Sequence, residues 1–175
     1  FAVGDGKGTV YVNIEDKNAL VAFDARTLKV IYTAPLAPGE EPTGLAIDQV
    51  DHRLYSVCHN KTMVILDSDS GRIVTTLPIG EGVDAAAYDP ASHLIFSSNG
   101  KGTLTIVRES SPQEFAVAET VPTRQGARTM ALDPKTHRIY AVSAKFGAPP
   151  APTPDRPRPR PAIEPGSVTL YVIGR

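Results

Sequence analysis

The strongest constraint on the fold is that the chain repeats itself. The segments TGLAIDQVDHRLYSV (43–57), DAAAYDPASHLIFSS (84–98) and RTMALDPKTHRIYAV (128–142) align without a gap. Asp48, Asp89 and Asp133 coincide, as do His52, His93 and His137, and then Tyr55, Phe96 and Tyr140. The opening FAVGDGKGTVYV fits the same frame with a turn one residue shorter, which sets Asp5 on Asp48 and Tyr11 on Tyr55. The four aspartates stand 43, 41 and 44 residues apart. A period of that length marks a supersecondary unit that buries its apolar face by stacking on its neighbours.

Within each copy the pattern has period two, as in GTVYVNI, TMVILD, IVTTLPI and GTLTIV. Alternation with β-branched and aromatic enrichment between turn residues reads as short strands. The second copy reads as strand a (45–48), strand b (53–58), strand c (63–67), the turn DSDSGR and strand d (73–79). Helical periodicity with capping signals is absent. Four antiparallel strands every 40 to 45 residues predict an all-β propeller with blades at about 1–41, 42–82, 83–126 and 127–175, forming one partial domain. Strand a carries small residues at one register, Val3, Ala46, Ala87 and Ala131, as expected of the crowded innermost strand. The fourth copy ends on strand c, SVTLYVIGR, and has no strand d, which leaves an open edge. The expectation is a four-blade part of a larger ring, completed by the remaining blades of a parent protein or by a second chain.

The runs LYSV, IYAV and VYVN, with a V-x-x-D strand after two of them (VILD, VAFD), resemble the YVTN family of β-propeller repeats, which is related to surface-layer and quinoprotein-type propellers. The resemblance spans nearly the whole chain. It implies the C-terminal part of a bacterial propeller of about seven blades, and a periplasmic or extracellular location. It implies little about activity, because propellers carry binding sites and enzymatic sites alike.

The 18 basic and 19 acidic residues leave a net charge of -1. No global field draws such a chain to nucleic acid or an anionic membrane, so no nucleic-acid partner is expected. No apolar run reaches the length of a membrane-spanning helix. The one cysteine, Cys58, excludes an internal disulfide and the paired-cysteine motifs of zinc, redox and haem sites. The chain begins on Phe1 with no signal-like segment, as expected of a processed protein or a piece of a longer one.

Several local motifs dissolve in the repeat. GDGKG (4–8) looks like a phosphate loop, but no helix follows it and it occupies an a–b turn. DSDSG (67–71) resembles the start of a calcium loop without its terminal glutamate, and the aligned DARTLK (24–29) marks it as a turn. Cys58 and His59 are adjacent, so on a strand they face opposite ways and form no base–nucleophile pair. No catalytic residue is assigned. In DPKTHRIY (133–140), His137 recurs as His52 and His93, each in an a–b turn, and reads as structural.

Function is sought where the copies disagree. At one register before strand a the residues are Thr43, Asp84 and Arg128: a hydroxyl, an acid and a base at the channel mouth, with Glu41 beside them. The b–c loops add Asn13, His59, Asn60 and Asn99, and the lysines Lys17, Lys61, Lys101 and Lys145, an anion-attracting set or plain solvated loop tips. These residues predict a non-catalytic module that binds a protein or a small polar ligand on its loop face, without cofactor. The alternative is a lactonase-like hydrolase holding a divalent cation such as calcium with Asn13, Asn99, Asp84 and Glu41, or a quinoprotein-type dehydrogenase. Register disfavours the cation, because Asn13 lies two residues after Tyr11 and Asn99 three after Phe96, which aims them to opposite sides of their sheets.

Eight of the 16 prolines lie between Pro149 and Pro165. Proline cannot donate to a ladder, so residues 148–166 are expected to be a loop with polyproline II character, inserted into the fourth b–c loop. Arg156, Arg158 and Arg160 alternate with proline there. At three residues per turn they splay around the axis. The segment is either a solvated rim loop or a partner-docking arm.

Overall fold

The computed structural model describes residues 1–174, and its regular structure is four antiparallel meanders in chain order. The first sheet holds β1 (Ala2–Gly4), β2 (Thr9–Ile14), β3 (Ala19–Asp24) and β4 (Val30–Pro35). The second holds β5 (Pro42–Asp48), β6 (Arg53–Cys58), β7 (Thr62–Asp67) and β8 (Ile73–Pro78). The third holds β9 (Val83–Asp89), β10 (Leu94–Asn99), β11 (Thr103–Ser111) and β12 (Glu114–Pro122). The fourth has only β13 (Thr129–Asp133), β14 (Arg138–Ser143) and β15 (Thr169–Ile173). Among the described residues the one helical turn is 3-10, at Glu15–Lys17. Arg175, the end of the segment read as the last strand c, lies outside the described residues.

The repeated turn has a direct physical cause. Asp48 Oδ1 accepts from the amides of Val50 and Asp51, Asp5 Oδ1 from those of Lys7, Gly8 and Thr9, and Asp133 Oδ1 from that of Lys135. In the Asp89 turn the Ala91 amide donates to Oδ1 likewise, and all four turns close on a residue of positive φ: His52 (55°), His93 (53°), His137 (56°) and, in the shorter first turn, Gly8 (122°). Histidine is among the few non-glycine residues enriched in this left-handed region. The recurring histidine is therefore a backbone device. The aspartate of DSDSG does the same work one turn on, since Asp67 Oδ1 accepts from the amide and the hydroxyl of Ser70.

Burial alone would raise the Asp89 carboxyl, but the Ser92 hydroxyl, His137 and the Ala91 amide more than offset it, so its pKa lies below the usual carboxylate range. Such a group adds stability that is fully present above about pH 4 and is lost as pH falls through its lower folded-state value. Asp89→Asn is expected to be about 1–2 kcal/mol less stable than wild type at pH 7. Urea unfolding between pH 7 and pH 2 should show that gap closing on the acid side, and a gap independent of pH would contradict this role.

Neighbouring sheets pack face to face, and alternation decides what each face carries. Tyr11, Leu20, Ala22 and Ala34 of the first sheet meet Leu45, Leu54, Val64 and Leu66 of the second. The other face of the second sheet offers Ala46, Tyr55, Val57, Met63 and Ile65 to Val83, Ile95 and Val107 of the third. Phe96 and Leu104 then meet Ile139 of the fourth. The small residues of strand a lie opposite the aromatics in the ladders: Val3 on Tyr11, Ala46 on Tyr55, Ala87 on Phe96, Ala131 on Tyr140.

The fourth sheet does not return to the first, and the ring is open. Its outward face repeats the buried face of the second sheet residue for residue. Val142 pairs with Leu170 as Val57 pairs with Met63, and Tyr140 pairs with Val172 as Tyr55 pairs with Ile65. Val57, Met63 and Ile65 are 0% exposed, whereas Val142, Leu170 and Val172 are 41%, 62% and 52% exposed.

Candidate functional site

Strand direction sets the b–c and d–a loops side by side at one end of the sheets, and backbone hydrogen bonds fasten them. The His59 amide donates to the carbonyls of Glu40 and Glu41, Gly100 to Gly82, Lys101 to Glu81, and Gly126 to Gly100. Thr43, Asp84 and Arg128 stand at or beside the starts of β5, β9 and β13, at equivalent places on this face.

The structure divides the sequence-derived candidates. Asn13 and Asn99 are buried and their amides are spent inside the protein. Asn13 Nδ2 donates to the carbonyls of Thr43 and Gly44 in the next sheet, while its Oδ1 accepts from Ser56 Oγ. Asn99 Nδ2 donates to Thr103 and Thr105, and its Oδ1 accepts from Ser97 Oγ. Both side chains are turned into the packed sheets, 7% and 0% exposed, and their hydrogen bonds tie strands and loops together there. Asn60 is a loop clamp, accepting from the Glu40 amide and donating to the Pro38 carbonyl. Glu41 takes a positive φ of 50° and its amide donates to Asn18 Oδ1, which leaves its carboxylate exposed at the rim.

Of the four lysines, Lys17 pairs with Asp16 at 3.3 Å and Lys61 with Glu81 at 3.2 Å. Neighbouring carboxylates thus neutralise half of the expected anion-attracting set. Lys145 is exposed, and its backbone joins the base of the proline-rich arm: its amide donates to Ser167 Oγ and its carbonyl accepts from the Glu164 amide. The arm is not wholly irregular, since Phe146 pairs with Ile163 and the Gly147 amide donates to the Ala162 carbonyl. Proline spacing had hidden that short ladder.

Lys101 and Arg128 come together in an open groove of about 660 Å³ between the third and fourth sheets. Its rim is the backbone of Gly82, Gly100 and Gly126, and its wall is Phe146, Ile163 and Val168 from the base of the arm. A Cβ built on Gly100 would sit 3.5 Å from Arg128 Cδ, so the arginine stem lies over the glycine. The groove thus combines two cations with an apolar wall. The apolar wall escaped sequence reading because the arm returns to the sheet only through its own short ladder.

Cys58 is fully buried, and burial pushes its thiol up to about 11, which keeps it from acting as a thiolate. His59, at the loop face, is half-buried.

Comparison with solved structures settles the fold. Over 83% of its length the chain superposes on Kuenenia stuttgartiensis hydrazine synthase with a TM-score of 0.73 at 14% identity. The chain is an arc of a β-propeller. A second match is a chain of the mitotic checkpoint complex, with a TM-score of 0.66, 18% identity and 76% of this chain covered. The arc spans 42% of the matched chain in each case. No protein-family model and no curated protein sequence matches it. At these identities the likeness shows the fold alone, and the function of the arc is argued from its own residues.

Proposed function

We propose that the arc is a non-catalytic binding and scaffold module of a larger YVTN-type propeller, exported to the periplasm or beyond. The resemblance to YVTN repeats supports the family and the location. The apolar face of the fourth sheet supports completion by further blades, because each of its residues has a buried counterpart in the second sheet.

The groove of Lys101 and Arg128 carries the binding assignment. Two cations next to Phe146 and Val168 suit an extended protein segment that alternates carboxylates with apolar side chains. Glu41, Thr43, Asp84 and His59 complete the polar rim of this loop face, which in this reading works without a cofactor. A fluorescein-labelled peptide of alternating glutamate and leucine is the probe. Its affinity for K101A/R128A is expected to fall by roughly 10-fold or more relative to wild type, with a strong salt dependence in the wild type. Equal affinity for the two proteins, or no binding by wild type, would overturn the assignment.

A further inference from the structure

At the opposite end of the sheets from the groove, three carboxylates converge between the second and third blades. Asp48, Asp51 and Glu109 each place an oxygen within 4.8 Å of the others. Asp48 and Glu109 are 3% and 4% exposed. Glu109 Oε2 accepts from Tyr55 Oη at 2.8 Å, but Glu109 Oε1 is sealed from solvent and has no partner.

The repeat shows what ordinarily occupies these positions. Ser92 and Thr136, at the register of Asp51, donate their hydroxyls to Oδ2 of Asp89 and Asp133 at 2.6 and 2.7 Å. Asp51 ionised has no proton to donate, so Asp48 loses that hydrogen bond and gains a like charge. Ser68 stands at the register of Glu109: the Ser68 amide donates to the His52 carbonyl as the Glu109 amide donates to that of His93, both at 3.0 Å. The first copy has Ala25 at this place, its amide donating to the Gly8 carbonyl, so the junction of the second and third blades alone sets an acid at both positions.

No basic side chain compensates. At the next junction His137 Nδ1 lies 3.1 Å from Asp89, but its counterpart His93 is held 3.3 Å from Tyr88 Oη. Among the described residues none of the three acids has a salt-bridge partner. Three converging carboxylates, two of them buried and one with an orphaned oxygen, are relieved by a shared proton or by a cation with oxygen affinity, and a cation also satisfies the orphaned oxygen.

We propose that Asp48, Asp51 and Glu109 bind a calcium ion that clamps the second blade to the third. All-oxygen, carboxylate-rich ligation selects a hard cation, and calcium tolerates the irregular geometry that ligands from two separate elements impose. Water completes its shell on the half-buried Asp51 side.

The test uses the full chain, stripped with chelator, and calcium chloride alone as the ligand. Calcium is expected to raise the melting temperature in proportion to the logarithm of its concentration. Terbium is expected to luminesce on excitation of tyrosine, because Tyr55 touches a ligand, and calcium should quench that emission by displacement. D51S/E109S places at each position a serine that another copy of the repeat carries there, Ser92 and Ser68, and should fold, while losing roughly 100-fold or more in calcium affinity together with the terbium signal. Unchanged melting of wild type in calcium and chelator, or a calcium response retained by the folded double variant, would overturn the site. If the double variant fails to fold, Glu109→Gln provides the same comparison, with the same expected loss and the same overturning result.

Discussion

Met63→Asp is expected to unfold the protein, while Leu170→Asp, at the same repeat position, leaves its melting temperature within about 2 °C of that of wild type at concentrations low enough to keep both monomeric. The two residues pair identically with strand b, Met63 with Val57 and Leu170 with Val142. They differ in what lies against them. Met63 is 0% exposed in the core between the second and third sheets, so an aspartate there is an unpaired buried charge costing about 3–5 kcal/mol. That is a large fraction of the stability of a domain this size. Leu170 has no sheet on its outward side and its substitution puts the charge in water. Equal destabilisation by both changes would mean that the fourth sheet already buries this face.

Gly44→Ala is expected to cost about 1–3 kcal/mol, and Gly44→Val more. A Cβ at Gly44 would lie 2.6 Å from the Ala86 nitrogen and 2.8 Å from the Ala85 carbonyl carbon and the Asp84 oxygen. All three are backbone atoms of β9, so no side chain can swing away and the second and third blades must part. Gly4→Ala is the control, because its nearest neighbour would be 3.7 Å away. That change should stay within about 0.5 kcal/mol in urea unfolding. Equal costs for the two glycines would contradict the close approach of the inner strands.

These contacts explain how far the sequence could be read. Strand b of the second copy was legible to the residue, Arg53–Cys58, because its alternation is uninterrupted between a turn and a loop. Strand a was read too short: it begins at Pro42, since a bulge between Pro42 and Leu45 interrupts the period that alternation relies on. The repeated histidines share a positive φ, a physical reason for their recurrence that the sequence alone does not show. The asparagines of the loop face were harder, because Asn13 and Asn99 look like ligands in sequence yet spend their amides on carbonyls and hydroxyls that only the folded arrangement brings near.

Glu109 escaped sequence reading because the gapless alignments cover strands a and b and stop before strand c. Carrying the register on to the residue whose amide bonds the turn histidine's carbonyl would have set Ser68 against Glu109. The groove of Lys101 and Arg128 has no such signal, because its apolar wall comes from residues 146, 163 and 168, brought together by the arm's own ladder.

The central claim is that this chain is an open four-blade arc whose end face accepts another blade. Sedimentation equilibrium at low micromolar concentration, on wild type and on V142D/L170D, tests it most directly. The account expects wild type to sediment above the mass of a single chain and the double variant to sediment as a folded monomer. A wild-type monomer whose folding is destroyed by V142D/L170D would contradict it, since that result requires a closed four-blade ring with the face already buried.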